Sequence, residues 1–140
     1  MRIFLDANIL FSAAKSGGAV RELLARASAA GHTLCADSYV AAEARRNIET
    51  KYPDDLPALD ALLTKVELAA YRPAELPPEV AARLLGKDRP VLAAAIRLKC
   101  DALVTSDRTH FGALYGQTVQ GVAVFSPLSL AQALGFARRT

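Results

Sequence analysis

The stretch that decides the fold is Arg2-Ile3-Phe4-Leu5-Asp6-Ala7-Asn8, a short apolar run that leads directly into an aspartate. An apolar run of this length is typical of a buried strand, and Asp6-Ala7-Asn8 is typical of the turn that follows one. Because such runs are apolar along their whole length instead of alternating, they indicate a parallel sheet that is covered on both faces. Similar runs predict strands at Thr33–Ala36, Ala102–Thr105 and Val122–Phe125, with one more within Val66–Ala70.

Apolar side chains at helical spacing fill the intervals between these strands. Strands that alternate with helices are the pattern of an α/β domain. At 140 residues the chain has the length of a single domain, which we expect to span residues 1–140. The predicted helices lie between Gly18 and Gly31, between Asp37 and Tyr52, from Leu56 to Val66, from Pro78 to Gly86, from Val91 to Leu98, and after Pro127.

Composition limits the cellular compartments and the classes of binding partner that are compatible with this sequence. The net charge of +3 is mildly basic, which is compatible with a polyanionic partner without requiring one. No apolar run approaches the roughly 18 residues that a membrane span needs, and the first residues lead into the charge of Asp6 rather than into a signal peptide. Cys35 and Cys100 have no Cys-x-x-Cys partner, which indicates buried free thiols in a cytoplasmic protein. His32 and His110 are isolated in the sequence, so a zinc site is not expected.

Four acidic residues stand where an ordinary core has no use for them. Asp6 directly follows the first strand, and Asp107 follows the strand at Ala102–Thr105. Glu43 has alanines on both sides within a predicted helix, and Asp88 precedes a strongly apolar helix. Since ligands of parallel sheets bind beyond the carboxyl ends of the strands, Asp6 and Asp107 lie where a ligand is expected.

Each acid also has a purely structural explanation, and the sequence leaves these alternatives open. They are an Asx-turn of Asp6 with Asn8, a pairing of Glu43 with Arg46 or Asn47, an N-cap at Asp88 and a turn at Asp107. Converging carboxylates nevertheless repel one another, by roughly 4 kcal/mol for two charges about 4 Å apart at an effective dielectric constant of about 20. A fold that gathers them needs a cation, and oxygen ligands without cysteine or histidine select Mg²⁺ or Mn²⁺ over zinc.

Four segments resemble the PIN-domain family in their order and spacing. They are Leu5–Leu10, Glu43–Ile48, Asp88–Ala95 and Leu103–Asp107, and Val124–Pro127 is similar to the last strand and turn of the family. The resemblance covers essentially the whole chain. One departure is that Asp88 is followed by Arg89-Pro90, where many toxin members of the family carry small apolar residues. This departure leaves open whether the chain is a toxin or a related stand-alone nuclease.

The resemblance implies a three-layer α/β/α fold with a central parallel sheet of about five strands, and a Mg²⁺- or Mn²⁺-dependent endoribonuclease. Many family members are toxins of bacterial toxin–antitoxin pairs, of the VapC kind, and they often form homodimers. The implied partners are therefore an RNA substrate, a cognate antitoxin and a second copy of the chain. Carried over by position, the metal-binding and catalytic residues are Asp6, Glu43, Asp88 and Asp107, with Asn8, Thr105 and Ser106 as supporting polar side chains.

The expected reaction is metal-assisted hydrolysis of a phosphodiester. Three aspartates anchor the ion, while Glu43 either completes its ligand shell or orients the attacking water. Basic residues near the predicted site are candidates to hold the RNA backbone. These candidates are Arg45, Arg46, Arg89 and Arg108.

Other functional classes fit the sequence less well. A PIN-like module that binds RNA or another partner without cutting is expected to have lost one or more of the acids, and all four are present. A phosphotransfer domain with Asp6 as nucleophile needs a second acid two residues on, where Asn8 stands. A P-loop needs an upstream glycine and a Ser or Thr, which Gly86-Lys87-Asp88 lacks.

Overall fold

A central six-stranded sheet organises the chain, and the computed structural model describes residues 1–15 and 17–136. The strands are β1 (Arg2–Leu5), β2 (Thr33–Asp37), β3 (Glu67–Ala69), β4 (Ala102–Val104), β5 (Thr118–Val119) and β6 (Val122–Phe125). The helices are α1 (Ala7–Lys15), α2 (Ala19–Ala29), α3 (Ser38–Lys51), α4 (Leu56–Leu63), α5 (Pro78–Ala81), α6 (Arg89–Arg97), α7 (Arg108–Phe111) and α8 (Pro127–Ala133). Short 3-10 turns lie at Pro53–Asp55 and Gly112–Leu114.

The strand order is β3-β2-β1-β4-β6-β5, and every neighbouring pair except β5 with β6 is parallel. β1 therefore lies inside the sheet, with Phe4 opposite both Cys35 on β2 and Leu103 on β4. Ile3, Phe4 and Leu5 are completely buried, as their apolar run predicts. The predicted parallel sheet of about five strands, flanked by helices, is confirmed.

The register of the parallel strands makes them end together. Leu5 of β1 lies opposite Val104 of β4, which in turn lies opposite Phe125 of β6. The backbone N–H of Asp6 continues this pairing by donating to the Val104 carbonyl at 3.1 Å. We call this side of the sheet the carboxyl edge, and it brings the residues that follow β1 and β4 side by side.

The expected turn at Asp6-Ala7-Asn8 is wrong, because α1 begins at Ala7 without an intervening turn. The Asp6 carbonyl accepts hydrogen bonds from the N–H groups of Ile9 and Leu10, so one residue ends the strand and starts the helix. Ile9 and Leu10 are buried, and α1 packs against α3 and α4. Asp6 is thus held by regular structure on both sides.

A sixth strand, β5, was not expected, because two residues are too few to show a strand pattern. It pairs antiparallel with β6 through a turn at Gln120-Gly121, with Val119 opposite Val122. Both turn residues have positive φ, 50° for Gln120 and 85° for Gly121. Two positive φ values are typical of a tight hairpin turn, in which Asn-Gly is the preferred pair.

Within the described ranges, no helix combines the length and the apolar character that a bilayer crossing requires. The two cysteines, Cys35 and Cys100, are buried free thiols, as the sequence predicts. Most of the large side chains lie in one core between the sheet and its helices, with Phe4 and Phe111 fully enclosed.

The hairpin turn gives a first prediction. Gln120→Asn is expected to raise the free energy of unfolding by up to about 1 kcal/mol, because asparagine tolerates the left-handed conformation better than glutamine does. Urea denaturation measures the change. Gln132→Asn in α8 is the matched control and is expected to destabilise slightly, since asparagine is a poorer helix former. Equal effects of the two substitutions would contradict the turn assignment.

Candidate metal centre

Asp6 is a buried carboxylate that is fixed by three hydrogen bonds. The residue is only 5% exposed. Its Oδ1 accepts from the N–H of Ala7 at 2.8 Å, and its Oδ2 accepts from the Thr105 hydroxyl at 2.8 Å and from Asn8 Nδ2 at 3.3 Å. The carboxylate therefore has one fixed orientation at the carboxyl edge.

The raised pKa of Asp6 shows that ionising this carboxyl group is unfavourable at its buried position. Burial raises the pKa of Asp6 to about 6, although the hydrogen bonds from Thr105 and Ala7 oppose the rise. The negative charges of Glu43 and Asp88 raise it further, so both of these carboxylates lie within electrostatic reach of Asp6. A cation at this place would stabilise the ionised form.

The predicted supporting residues form one polar network with Asp6. Asn8 Nδ2 also donates to the Thr105 hydroxyl oxygen at 3.2 Å, and its Oδ1 accepts from the N–H and the hydroxyl of Ser106, both at 3.0 Å. The N–H of Asp107 donates to the same Thr105 oxygen at 3.2 Å. The start of α1 and the segment after β4 are thereby tied to each other. Asn8, Thr105 and Ser106 thus lie where an orienting role requires them.

Asp88, Asp107 and His110 form a second group beside this network. Their potential ligand atoms all lie within 4.8 Å of one another. Nδ1 of His110 lies 2.7 Å from Asp107 Oδ2 and 3.2 Å from Asp88 Oδ2. Asp107 also caps α7, since its Oδ1 accepts from the N–H of His110 at 3.1 Å. The expectation that His110 is isolated is therefore wrong, because α7 turns it back onto the acids.

Two buried atoms of this group lack hydrogen-bond partners among the described residues. They are Asp88 Oδ2 and His110 Nδ1, which lie close to each other but not in hydrogen-bonding geometry. Asp88 stands at the N-cap of α6, yet its side chain accepts no hydrogen bond from that helix, so the capping explanation does not account for it. Leaving a buried polar atom unpaired costs about 1–3 kcal/mol. A metal ion would satisfy both atoms, and the donor set therefore fits one.

The charge state of Asp88 follows the same pattern. Burial raises the pKa of the Asp88 carboxyl, and the negative charge of Asp107 adds to the rise. His110 opposes the rise when its imidazole is protonated. Like Asp6, Asp88 is thus a carboxylate that its surroundings do not fully compensate.

Glu43 lies on α3 and is half-buried. Its charge raises the pKa values of Asp6 and of Tyr39, so it belongs to the same electrostatic neighbourhood. In the part of the chain that the structure describes, Glu43 forms no ion pair with Arg46. The ion pair with Arg46, one of the two structural alternatives for Glu43, is therefore not observed.

The four candidate RNA-contact arginines divide into two pairs. Arg45 forms an ion pair with Asp60, and Arg89 donates from Nε to the carbonyls of Ala81 at 2.9 Å and Leu84 at 3.3 Å. These two guanidinium groups hold local structure. Arg46 and Arg108 are exposed and form no ion pair among the described residues, which leaves these two as the candidates for contact with a large ligand.

Sequence reasoning missed three residues that shape the centre. His110 has a detectable signal, since it follows Asp107 at the i+3 spacing that places both on one face of a helical turn. Tyr39 donates to the Lys87 carbonyl at 3.1 Å and so steadies the segment before Asp88. Tyr115 donates to the Thr105 carbonyl at 2.7 Å. The two tyrosines have no sequence signal, because their partners are distant backbone groups.

Several solved structures contain chains with this architecture. A VapBC2 complex from Rickettsia felis, bound to a DNA fragment from its promoter, aligns with a TM-score of 0.67 and 20% identity over 90% of this chain and 98% of that chain. VapBC-1 from nontypeable Haemophilus influenzae aligns with a TM-score of 0.57 and 14% identity over 91% and 99%. FitAB bound to the IR36 DNA fragment aligns with a TM-score of 0.57 and 18% identity, over 89% of this chain and 94% of that chain. The chain has a PIN-like fold.

At these identities the likeness concerns the PIN-like fold alone. No sequence-family model matches the chain, and the comparison with curated protein sequences gave no match. The resemblance to the PIN domain that the sequence motifs indicate is confirmed at the level of the fold. Within the PIN-like fold, the carboxyl edge carries the acidic group and its polar network.

The raised pKa of Asp6 predicts how pH affects the metal-free protein. Its pKa is about 6 when folded and 3.8 when unperturbed, so the folded state binds the proton more tightly. The resulting stabilisation is complete below about pH 4 and is lost as the pH rises through 6, by roughly 3 kcal/mol in total. Asp6→Asn is expected to remove this loss and to be more stable than the wild type at pH 7.

Urea denaturation at intervals from pH 4 to 7, with EDTA present, measures the effect. Asp54→Asn, which alters an exposed carboxylate in the 3-10 turn, is the control and should follow the wild-type profile. A wild-type and an Asp6→Asn profile that run parallel across this range would contradict the assignment.

Proposed function

We propose that the protein is a Mg²⁺- or Mn²⁺-dependent endoribonuclease, the toxin component of a toxin–antitoxin pair or a related stand-alone nuclease. The observation that carries the proposal is the buried Asp88 Oδ2, which lacks a hydrogen-bond partner among the described residues and lies in one group with Asp107 and His110. Uncompensated carboxylates at the carboxyl edge of a parallel sheet are what a metal-dependent phosphodiesterase needs. The PIN-like fold supports the same conclusion.

The residues of the centre have two roles: some would bind the metal, and others would orient the ligands and the attacking water. Asp6, Asp88 and Asp107 would hold the ion, which supplies positive charge to the phosphate and makes a water molecule more acidic. Thr105 fixes the orientation of Asp6 through its hydroxyl. Glu43 would complete the ligand shell or accept a proton from the attacking water.

The polar network supports this chemistry because it holds the Asp6 side chain in one orientation. Asn8 contacts Asp6, Thr105 and Ser106 at once, so Asp6 has no need to reorganise when a charge arrives. Preorganised groups of this kind lower the barrier because their reorientation is not part of the reaction. Ser106 is exposed and would hold a phosphate oxygen or a water molecule.

RNA is the proposed substrate, and its phosphates would meet exposed arginines. Arg108 follows Asp107 directly, and Arg46 lies on α3, the helix that carries Glu43. Contacts to phosphate hold the backbone without reading its sequence. Cleavage should therefore weaken with salt concentration.

An antitoxin is the proposed protein partner. VapBC2, VapBC-1 and FitAB were solved as complexes. This chain has an open apolar groove of about 210 Å³ between α1, α2 and α4, lined by Ala13, Leu24 and Leu62 among others. Lys65 borders the groove, and so does Arg21, whose guanidinium also donates to the carbonyls of Ala13 and Ala14, so an apolar segment with an acidic flank suits it. A second copy of the chain and a cytoplasmic location complete the proposal.

The nuclease activity has a direct test. With Mn²⁺ or Mg²⁺ present, the wild type is expected to cleave a structured RNA, and EDTA is expected to stop it. Asp107→Asn should reduce the rate at least about a hundredfold, because a metal ligand is replaced by a neutral amide. Asp54→Asn should leave the rate unchanged, since this aspartate is exposed in the 3-10 turn after α3 and is not one of the proposed ligands.

Two results would contradict the proposal. Cleavage that survives Asp107→Asn would show that the acids are not the catalytic centre. Metal-independent binding of RNA by a wild type that never cuts it would instead indicate a silent binding module.

Glu43 gives a separate prediction, because its role rests on charge rather than on a direct contact. Glu43→Gln is expected to weaken Mn²⁺ binding and to lower the cleavage rate, since an amide is a poorer ligand for a hard cation than a carboxylate is. Glu49→Gln, an exposed position on the same helix, is the matched control. Calorimetric Mn²⁺ titration beside the cleavage assay measures both quantities. Unchanged affinity and rate would leave a centre of three aspartates.

A further inference from the structure

The imidazole of His110 is placed as a metal ligand would be. Two ligands about 2.1 Å from one ion lie about 3 Å apart when they meet at a right angle. Nδ1 of His110 lies 2.7 Å from Asp107 Oδ2 and 3.2 Å from Asp88 Oδ2. These are the separations expected between neighbouring ligands of one ion.

Hydrogen bonding does not account for this approach. Nδ1 of His110 is buried, and no acceptor among the described residues lies in hydrogen-bonding geometry to it. The Asp88 oxygen that faces it is equally unpartnered, and the Asp88 side chain is only 10% exposed. A group that lies beside both atoms would satisfy them together, since the 3.2 Å between them leaves no room for one on the line that joins them.

The main chain keeps His110 in this position. Its N–H donates to Asp107 Oδ1 at 3.1 Å, and its neighbour Phe111 is completely buried. The N–H of Phe111 donates to the Asp107 carbonyl at 2.9 Å. The helical turn is therefore anchored at both residues, so the backbone that carries the imidazole is fixed before an ion binds.

We propose that His110 is a metal ligand together with Asp88 and Asp107, which makes this a mixed nitrogen and oxygen site that favours a first-row transition ion over Mg²⁺. The inference rests on the proposed function only in that it concerns the same centre. It replaces the expectation of an all-oxygen site, from which Mg²⁺ or Mn²⁺ followed. Imidazole is a good ligand for zinc, copper, iron and nickel, whereas Mg²⁺ prefers oxygen alone.

A competing role for His110 makes the opposite prediction. As a protonated imidazolium, His110 would act as a resident counter-ion for Asp88 and Asp107, and a metal would have to displace its charge. Removing the side chain would then tighten metal binding. If His110 is a ligand, removing it must weaken binding, and must do so most for ions that favour nitrogen.

Titration calorimetry with Co²⁺, Zn²⁺ and Mg²⁺ separates these roles. His110→Ala is expected to lower the Co²⁺ and Zn²⁺ affinities at least about tenfold, which is the smallest loss typical even for a partner outside the ligand shell. The Mg²⁺ affinity should change much less. Because transition ions bind more tightly than Mg²⁺ at most sites, the decisive quantity is the change in the Co²⁺ to Mg²⁺ ratio on substitution.

His32→Ala is the matched control. It removes the other histidine of the chain, whose Nδ1 lies 2.9 Å from the amino group of Met1, and it should leave all three affinities unchanged. Thermal unfolding in EDTA checks that both variants fold, and His110→Gln serves if the alanine variant does not. Pulsed electron paramagnetic resonance of Mn²⁺ bound to the His32→Ala variant gives a second test, because His110 is the one histidine left in that variant. The spectrum should show coupling of Mn²⁺ to an imidazole nitrogen.

Unchanged or tighter Co²⁺ binding by His110→Ala, or an absence of nitrogen coupling, would overturn the assignment of His110. None of these measurements uses RNA. A wild type that binds Co²⁺ through His110 but cleaves no RNA with any ion would contradict the proposed function and leave the ligand assignment intact.

Discussion

The hydrogen bond that the Thr105 hydroxyl donates to Asp6 joins the segments after the two central strands. The parallel register of β1 and β4 makes it possible, because it ends both strands at the same level. Asn8, on the first turn of α1, contacts both residues and extends the link to Ser106. The positions of Asp6 and Asp107 are thus a consequence of the sheet register.

The negative charges of the buried carboxylates Asp6 and Asp88 are not fully compensated by their surroundings. Burial raises the pKa values of Asp6 and Asp88, and the charges of neighbouring acids raise both further. A fold under selection for stability alone would replace such carboxylates with apolar side chains, since unpaired buried charge is costly. The proposed cation would compensate these charges, and it would also satisfy the Asp88 oxygen that has no hydrogen-bond partner within the described residues.

The sequence predicted the fold well, because continuous apolar runs such as Arg2–Leu5 and Ala102–Val104 are decisive for a buried parallel strand. It singled out Asp6 and Asp107 because a charge directly after such a strand has few structural uses, and their role as metal ligands stays a prediction. It did not predict β5 or the helix that starts at Ala7, since both depend on tertiary pairing. It also missed His110, because isolation along the chain says nothing about a helical turn that folds back onto Asp88, 22 positions earlier.

Anomalous diffraction from a crystal soaked in Mn²⁺ tests the metal centre most directly, since it locates the ion without reference to activity. We expect one anomalous peak in coordination contact with Asp88 and Asp107, on the side that faces Asp6. Soaking an Asp88→Asn crystal under the same conditions should remove or weaken that peak. A wild-type crystal with no peak at the carboxyl edge, or with manganese only at surface carboxylates such as Asp54, would contradict a metal-dependent centre.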